Sequence, residues 1–197
     1  GPGRIVVQER PDPLAEPGGL VLAVDACAVC GSDLRTLRAG NKRVAAPRIL
    51  GHELAGVVLS VGEGVVDFAV GDRLSVGADV PCGACAACAA GRPNTCATNL
   101  ALGYQWDGGF AERVHLPRLL VDGGPIARVP VGLSLALAAL AEPLACCVNG
   151  WERCGPGPGG TLLIFGAGPI GVMLARLGRA EHGVSRVLFV EPSAARR

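Results

Sequence analysis

The pattern of hydrophobic positions divides this chain into two parts. Up to about residue 132 the apolar runs are short, and glycine, proline and aspartate separate them: RIVVQE, GLVLAVDACAV, ELAGVVLSVG, DRLSV and FAERVHL. Short runs punctuated in this way are typical of antiparallel strands, so we predict a sheet or barrel for the first part. The pattern changes from Leu133 onward.

The second part alternates helices with apolar strands. Ser134 can cap a helix through LALAALA, and Pro143 can occupy the first turn of a helix that runs through LACCVNGWERC. After the break GPGPGG come an apolar strand TLLIF, a glycine turn, a helix PIGVMLARLGRAEHG and a second buried strand VLFVE. This order is the opening of a parallel doubly wound sheet. The predicted fold class is therefore all-β followed by α/β.

Four cysteines lie close together in the segment PCGACAACAAGRPNTC, and they are Cys82, Cys85, Cys88 and Cys96. Four thiolates suit zinc, a borderline-soft ion without redox chemistry, and they fill its tetrahedral coordination sphere. We therefore predict a structural zinc site in a lobe over residues 80–98.

Two other uses of these cysteines compete with zinc. A ferredoxin-like iron–sulfur cluster also uses C-x2-C-x2-C, but its fourth cysteine usually follows closely and precedes proline, whereas Cys96 follows after seven residues and precedes Ala97. Disulfides are disfavoured because the nine cysteines are an odd number and the sequence shows no secretory leader. An iron–sulfur electron carrier would leave the motifs described next unexplained.

Composition narrows the classes of partner. A net charge of +1 without basic blocks argues against a nucleic acid or an anionic membrane as partner. No uninterrupted apolar stretch reaches the roughly 18 residues that span a bilayer. Because the cysteines read as reduced thiols and no leader is recognisable, we expect a cytoplasmic protein.

A glycine motif follows the strand TLLIF, with Gly166, Gly168 and Gly171 in the pattern G-x-G-x-x-G. The first glycine permits a tight turn, the second lets the backbone approach a pyrophosphate, and the third lets helix and strand pack closely. The helix that begins with Pro169 and Ile170 offers free N–H groups and a positive dipole end to phosphates. The motif is weak alone, but its position between strand and helix predicts a dinucleotide site.

An acidic residue at the end of the next strand bears on the choice of coenzyme. Glu191 lies twenty residues after Gly171. Its carboxylate can accept hydrogen bonds from the adenosine ribose hydroxyls and would repel a 2′-phosphate, which favours NAD over NADP. Arg196 can hold such a phosphate, or it can be a solvated helix charge.

Cys30, His52 and a nearby carboxylate form a candidate for a second metal site. Catalytic zinc takes three protein ligands and leaves a fourth position for water or substrate, and Glu53 or Glu142 can supply the third ligand. Each residue also has an ordinary structural interpretation, as a small buried cysteine, a core histidine or a charge at a helix end. Because the chain has only three histidines, one within Gly-His-Glu favours the metal interpretation.

Together these motifs resemble those of the zinc-dependent medium-chain alcohol dehydrogenase superfamily, nearest to its sorbitol (polyol) and threonine dehydrogenase branches. The resemblance covers nearly the whole chain in order and spacing. The matching segments are CGSD at 30–33, GHELAGVV at 51–58, VGDRL at 70–74, the four-cysteine lobe, DGGFAE at 107–112, EPLA at 142–145 and GAGPIG at 166–171.

The resemblance implies a domain organisation and a set of ligands. It implies a GroES-like catalytic β-barrel over residues 1–145, followed over 146–197 by the first βαβ portion of a Rossmann NAD-binding domain. It also implies Cys30 and His52 as ligands of a catalytic zinc ion, with Glu53 as the third ligand in the polyol branch. Glu142 takes the place of a cysteine ligand of other branches, and it either binds zinc or holds the water at the zinc. Two zinc ions per chain are therefore expected.

The activity implied by the resemblance is zinc- and NAD-dependent oxidation of a secondary alcohol to a ketone by hydride transfer. Zinc polarises the alcohol oxygen, and Ser32 accepts the alcohol proton and relays it outward. The implied substrate is a small-molecule polyol, sugar, cyclitol or amino alcohol, and relatives commonly form homodimers or homotetramers. The competing hypothesis is a zinc-binding scaffold that keeps the fold without catalysis.

The chain departs from the family pattern at one position near the catalytic cysteine. Where relatives often carry a histidine five residues after that cysteine, this chain has Arg35. Because of this departure, the residues of the outer proton path are not identified. Arg35 indicates an anionic or highly polar substrate, or it is simply a surface charge. Tyr104, Trp106 and Phe110 fall in the loop that lines the substrate cleft of relatives, or they pack in the core.

The remaining thiols and histidines receive no chemical role. The thiols are expected as buried small residues, and they are Cys27, Cys146, Cys147 and Cys154. His115 and His182 are the two histidines without an assigned function. Because the sequence stops just after the second strand of the nucleotide domain, we expect a fragment of a longer enzyme that does not turn over substrate alone.

Overall fold

The computed structural model describes residues 3–197, which fall into two compact units, one ending at Glu142 and one from Pro143 to Arg197. In chain order the elements of the first unit are β1 (Leu20–Ala28), α1 (Gly31–Ala39), β2 (Glu53–Val61), β3 (Arg73–Val76), β4 (Asp79–Val80), α2 (Ala86–Ala89), β5 (Leu100–Ala101), β6 (Arg113–Leu116), α3 (Arg118–Gly123), β7 (Ile126–Arg128) and α4 (Leu135–Ala138). The division falls within α5 (Ala141–Cys154).

The first unit is built on a five-stranded antiparallel sheet in the order β6-β1-β2-β3-β7. Alternating side chains of these strands form one apolar core that includes Leu20, Leu22, Leu54 and Leu74, each fully buried. Ser134 caps α4, as predicted, by accepting a hydrogen bond from the N–H of Leu137.

The register between β1 and β2 decides where the candidate ligands lie. Ala28 at the end of β1 pairs with Glu53 at the start of β2. Cys30 follows the first strand by two residues and His52 precedes the second by one, so both lie at the same end of the sheet. The antiparallel pairing therefore brings two separate sequence motifs together.

Gly51 permits the chain to enter β2 at this point. Its φ of +92° lies in the left-handed region that side chains other than glycine rarely adopt, and a Cβ there would lie 2.7 Å from Sγ of Cys27 and 2.8 Å from the Phe110 ring. Glycine at this position therefore orients the residue that follows, His52, without a clash.

The second unit contains α5 from Pro143 onward, β8 (Thr161–Phe165), α6 (Pro169–Glu181) and β9 (Arg186–Val190). The two strands pair in parallel from Thr161↔Arg186 to Phe165↔Val190. Trp151 is buried, lies against Gly178 of α6 and stacks on His182 with ring centroids 4.6 Å apart. The strand, helix and strand predicted from the sequence are all present.

Three expectations about the apolar runs and thiols are wrong. The run RIVVQE forms no strand, and its Val7 is fully exposed, because residues 4–9 pair with no described strand. The strands β8 and β9 form, but Phe165 and Phe189 remain exposed, since a two-stranded sheet packed on one helix cannot cover both faces. Cys146 is exposed rather than buried, and the side chain of Cys154 lies outside the described part of the chain.

Among residues 3–197, no helix has both the length and the apolar character needed to cross a membrane.

Candidate metal centres and nucleotide site

Cys30, His52 and Glu53 form a compact group of potential metal ligands. One ligand atom from each of the three residues lies within 4.8 Å of the other two. His52 and Glu53 are buried and Cys30 is partly buried. A thiolate, an imidazole and a carboxylate form the type of ligand set that zinc accepts in catalytic sites.

Asp33 contacts two residues of this group, Cys30 and His52. Asp33 had been assigned no role from the sequence. Its Oδ2 accepts the backbone N–H of Cys30 at 3.0 Å, which orients the first turn of α1. Its Oδ1 lies 3.5 Å from Nδ1 of His52, and both side chains are buried. The available signal was its position three residues after the cap of a helix, where an acidic side chain reaches back to the cap.

The charges of this pair are interdependent. Burial raises the pKa of Asp33, but the interaction with His52 and the backbone N–H groups of Cys30 and Gly51 together outweigh burial, so the pKa lies below its usual range. Burial likewise lowers the pKa of His52, yet the interactions with Asp33 and then with Cys30 together outweigh it and raise the pKa to about 9.

The donor set fits a metal ion. Nδ1 of His52 is buried and has no hydrogen bond of good geometry, since its 3.5 Å distance to Oδ1 of Asp33 is at the outer limit for a hydrogen bond. A buried polar atom without a partner is costly. A cation beside Cys30, His52 and Glu53 would neutralise the two anionic side chains that the pocket brings together.

Ser32 lies next to the same histidine. Its Oγ is 3.4 Å from Nε2 of His52, and the hydroxyl is partly buried. Glu142, by contrast, is not a member of the three-residue group found among the described residues. Burial raises the pKa of Glu142, while the charge of His52 lowers it and the charge of Glu53 raises it. The carboxylate therefore lies in the electrostatic neighbourhood of the group without joining its compact set of ligand atoms.

The four cysteines predicted as a structural site also converge. One sulfur from each lies within 4.8 Å of the others. Backbone N–H groups already point at these sulfurs: Cys82 and Asn99 donate to Sγ of Cys96 at 3.3 and 3.4 Å, and Cys85 donates to Sγ of Cys82 at 3.4 Å. Such donors stabilise thiolates, and the backbone N–H groups of Cys88 and Ala97, with the neighbouring thiols, lower the pKa of Cys85 to about 6.

The glycine turn of the second unit has the features of a phosphate cradle. Gly166 has a φ of +103°, and a Cβ on Gly171 would lie 2.1 Å from the carbonyl oxygen of Gly166. Glu191 accepts the N–H of Ala167 at 2.8 Å and that of Ser193 at 2.7 Å, and these bonds hold its pKa below the usual range. A cavity of about 450 Å³ borders the turn. Its lining residues are Ala167, Val172, Phe189, Glu191, Arg196 and Arg197.

The model of the alcohol dehydrogenase GroES-like domain family matches residues 16–122. This segment contains both candidate metal groups described above.

The chain belongs to the zinc-type medium-chain alcohol dehydrogenase superfamily.

Individual relatives agree with this assignment. D-altritol 5-dehydrogenase of Agrobacterium fabrum is 39% identical over 98% of this chain and 57% of its own length. One similar structure is described as a zinc-binding dehydrogenase from Sinorhizobium meliloti 1021 bound to NADP. It has a TM-score of 0.91 and 36% sequence identity, and the match covers 100% of this chain and 56% of that chain. An alcohol dehydrogenase from Escherichia coli CFT073, complexed with NADH, has a TM-score of 0.88 at 32% identity, with coverages of 99% and 56%.

The chain therefore spans about 57% of the length of a curated relative. The predicted fold class, a GroES-like β domain followed by the start of a Rossmann-type parallel sheet, is confirmed.

The three aromatic residues expected at the substrate cleft of a medium-chain dehydrogenase separate in the structure. The Tyr104 ring lies 5.7 Å from the His52 ring, centroid to centroid. Trp106 packs against the main apolar core, and the Phe110 ring lies beside Gly51. Tyr104 alone of the three has a described contact with a candidate metal ligand.

Proposed function

We propose that this medium-chain dehydrogenase oxidises a secondary hydroxyl group of a polyol or a related sugar, cyclitol or amino alcohol, with zinc at Cys30, His52 and Glu53. The observation that carries the proposal is the convergence of these three ligand atoms within 4.8 Å of one another. Three protein donors would leave a fourth zinc position for the alcohol, whereas the four cysteines would fill a tetrahedral coordination sphere.

Zinc and the nicotinamide ring supply a Lewis acid for the alcohol oxygen and an acceptor for the hydride. The chain's own residues handle the proton and the geometry. Ser32, whose Oγ lies 3.4 Å from Nε2 of His52, takes the proton of the substrate hydroxyl at Oγ and passes its own hydroxyl proton on towards solvent. Asp33 holds Cys30 and His52 in position, because one of its carboxylate oxygens contacts each residue.

Glu53 is the third ligand in this proposal, and Glu142 acts beside the site. Glu53 belongs to the compact group, whereas Glu142 does not. The pKa of Glu142 is raised by burial, so its carboxyl can hold a proton more readily than an exposed glutamate does. A water or a substrate hydroxyl near the metal would be its partner.

The four-cysteine group holds a second zinc ion with a structural role. Its N–H···S bonds, such as that from Asn99 to Cys96, orient the sulfurs before metal binding. Closed sites of four thiolates contribute folding free energy rather than chemistry.

NAD is the proposed coenzyme. Glu191 lies at the mouth of the glycine turn, where its negative charge opposes a 2′-phosphate. The relatives include one structure with NADP and one with NADH, so the family fold accepts both coenzymes. Arg196 lines the same cavity, and its positive charge reduces the preference for NAD over NADP.

Metal content combined with turnover tests this function. The full-length protein should contain two zinc ions per chain by plasma mass spectrometry and should form NADH from NAD with sorbitol as substrate. Cys30→Ala should remove one ion and abolish turnover while the four-cysteine ion stays. Cys146→Ala, an exposed cysteine on α5, is the matched control and should keep both ions. Turnover that survives Cys30→Ala, or iron in place of zinc, would overturn the proposal.

A further inference from the structure

A cluster of positive charge lies in the sequence next to the candidate catalytic site. Between Asp33 and Glu53 there is no acidic residue, yet this stretch carries five cations: Arg35, Arg38, Lys42, Arg43 and Arg48. The whole chain has a net charge of only +1, so the concentration is local. Such a concentration attracts anionic ligands.

Arg43 differs from the other cations in how it is held. Its guanidinium donates a hydrogen bond to the carbonyl oxygen of Asn99 and lies over the ring of Tyr104, with Cζ 4.9 Å from the ring centroid. Its backbone N–H donates to Oδ1 of Asn41 at 2.9 Å. A guanidinium fixed in this way loses little conformational freedom when it binds a ligand.

The position of Arg43 relates it to the proposed site of oxidation. Tyr104 contacts both Arg43 and His52, and its ring lies 5.7 Å from the His52 ring. The two separations place the Arg43 guanidinium no more than about 11 Å from the His52 ring. This is the length scale of a short sugar chain whose reacting hydroxyl is at one end and whose acid group is at the other.

Most hydrogen-bond donors of the Arg43 guanidinium have no described partner. Arg48 forms a salt bridge with Asp107 at 3.0 Å, but Arg43 has no carboxylate partner among residues 3–197. A guanidinium has five N–H donors in a planar fork that matches a carboxylate or a phosphate. Its one described side-chain hydrogen bond, to Asn99, leaves most of that fork available.

We propose that Arg43 is a specificity-determining residue that selects polyols bearing a carboxylate or a phosphate group. This inference rests on the proposed dehydrogenase function and names its substrate class. Arg43 binds the anionic end of the substrate, Tyr104 supports the guanidinium, and the hydroxyl to be oxidised lies at the group formed by Cys30, His52 and Glu53. Arg35, which has no described side-chain partner, is exposed on α1 and does not share the contact with Tyr104.

Three probes of similar carbon skeleton test this selection in the zinc-loaded full-length protein: sorbitol, sorbitol 6-phosphate and D-gluconate, each with NAD. At least one anionic probe should have a higher kcat/KM than sorbitol, and the two anionic probes distinguish phosphate from carboxylate. Charge-assisted hydrogen bonds contribute enough that Arg43→Gln should lower kcat/KM for the preferred anion by roughly 10- to 100-fold more than for sorbitol. Arg43→Lys, which keeps the charge and loses the fork, should fall between.

Lys42→Gln is the matched control, because it removes a neighbouring exposed cation outside the Tyr104 contact. It should leave the preference between anionic and neutral probes unchanged. If sorbitol is oxidised but no anionic probe is preferred, or if Arg43→Gln affects all probes equally, the inference is overturned and the dehydrogenase function stands.

If no probe is oxidised, the proposed function fails for this class of substrate, and calorimetry on the same proteins decides the inference separately. Binding of D-gluconate or sorbitol 6-phosphate that Arg43→Gln weakens and Lys42→Gln preserves would support anion recognition. Absence of binding, or equal binding by both variants, would overturn it.

Discussion

Asp33 and His52 form a buried pair in which Oδ1 of the carboxylate lies 3.5 Å from Nδ1 of the imidazole. The other carboxylate oxygen accepts the backbone N–H of Cys30. One side chain on α1 therefore touches two of the three proposed ligands, which come from different motifs. Residues that orient ligands from outside the coordination sphere tune both metal affinity and ligand basicity.

Asp33→Asn should weaken the proposed catalytic zinc site and leave the four-cysteine site intact. Loss of a carboxylate that orients a histidine ligand typically costs roughly 10- to 100-fold in metal affinity. Competition with a chelator, followed by the zinc content, measures the affinity of each site. Asp25→Asn, an exposed aspartate on β1, is the control and should change neither affinity. Unchanged zinc affinity in Asp33→Asn would show that Asp33 acts only as a helix cap.

Two matched substitutions separate the roles of Glu53 and Glu142. Glu53→Gln should release the catalytic zinc ion, because it removes a member of the three-residue ligand group. Glu142→Gln should retain that ion, since Glu142 lies outside the group, while turnover falls. Zinc content before and after dialysis distinguishes the two variants. Retention of the ion by Glu53→Gln together with its loss from Glu142→Gln would reverse the assignment.

Gly171→Ala should disrupt the nucleotide turn. The added Cβ would lie 2.1 Å from the Gly166 carbonyl oxygen and 3.2 Å from Cγ2 of Ile164, so the start of α6 has to move. Overpacking of this type costs about 1–3 kcal/mol. We expect NADH affinity, measured by calorimetry, to fall by at least roughly tenfold. Gly157→Ala places its Cβ in open space and should bind NADH as the parent protein does.

Glu191 should give the protein an acid-sensitive contribution to stability. The N–H groups of Ala167 and Ser193 favour the carboxylate and lower its folded-state pKa. The contribution is therefore fully present above the ordinary glutamate pKa and is lost as pH falls through the lowered folded value. In urea unfolding between neutral and strongly acid pH, the stability difference between the parent protein and Glu191→Gln should shrink as pH falls below about 4.

The control for that experiment is Glu181→Gln, which removes a carboxylate from the exposed end of α6. A stability difference for Glu191→Gln that stays constant from neutral to acid pH would contradict a role for the charged form.

Local sequence patterns predicted most of the helices and strands, because the formation of these elements depends largely on residues that are close in sequence. The alternation in ELAGVVLSVG forms β2, and the glycine turn after TLLIF lies between β8 and α6 as expected. The pattern failed for RIVVQE, since an apolar run becomes a strand only when another strand offers hydrogen bonds. It also failed for the burial of β8 and β9, which depends on what packs against them.

The sequence by itself determined the chemical types at the sites: a cysteine and a Gly-His-Glu motif, four closely spaced cysteines, and a glycine turn with an acid after the next strand. Tertiary structure brings Glu53 and His52 within reach of Cys30, because the β1–β2 register places these strand ends side by side. It also revealed the contacts of Asp33 with His52 and of Arg43 with Tyr104. Residues far apart in sequence come into contact only through strand pairing and loop packing. The spacing of residues along the chain therefore does not predict the distances between them.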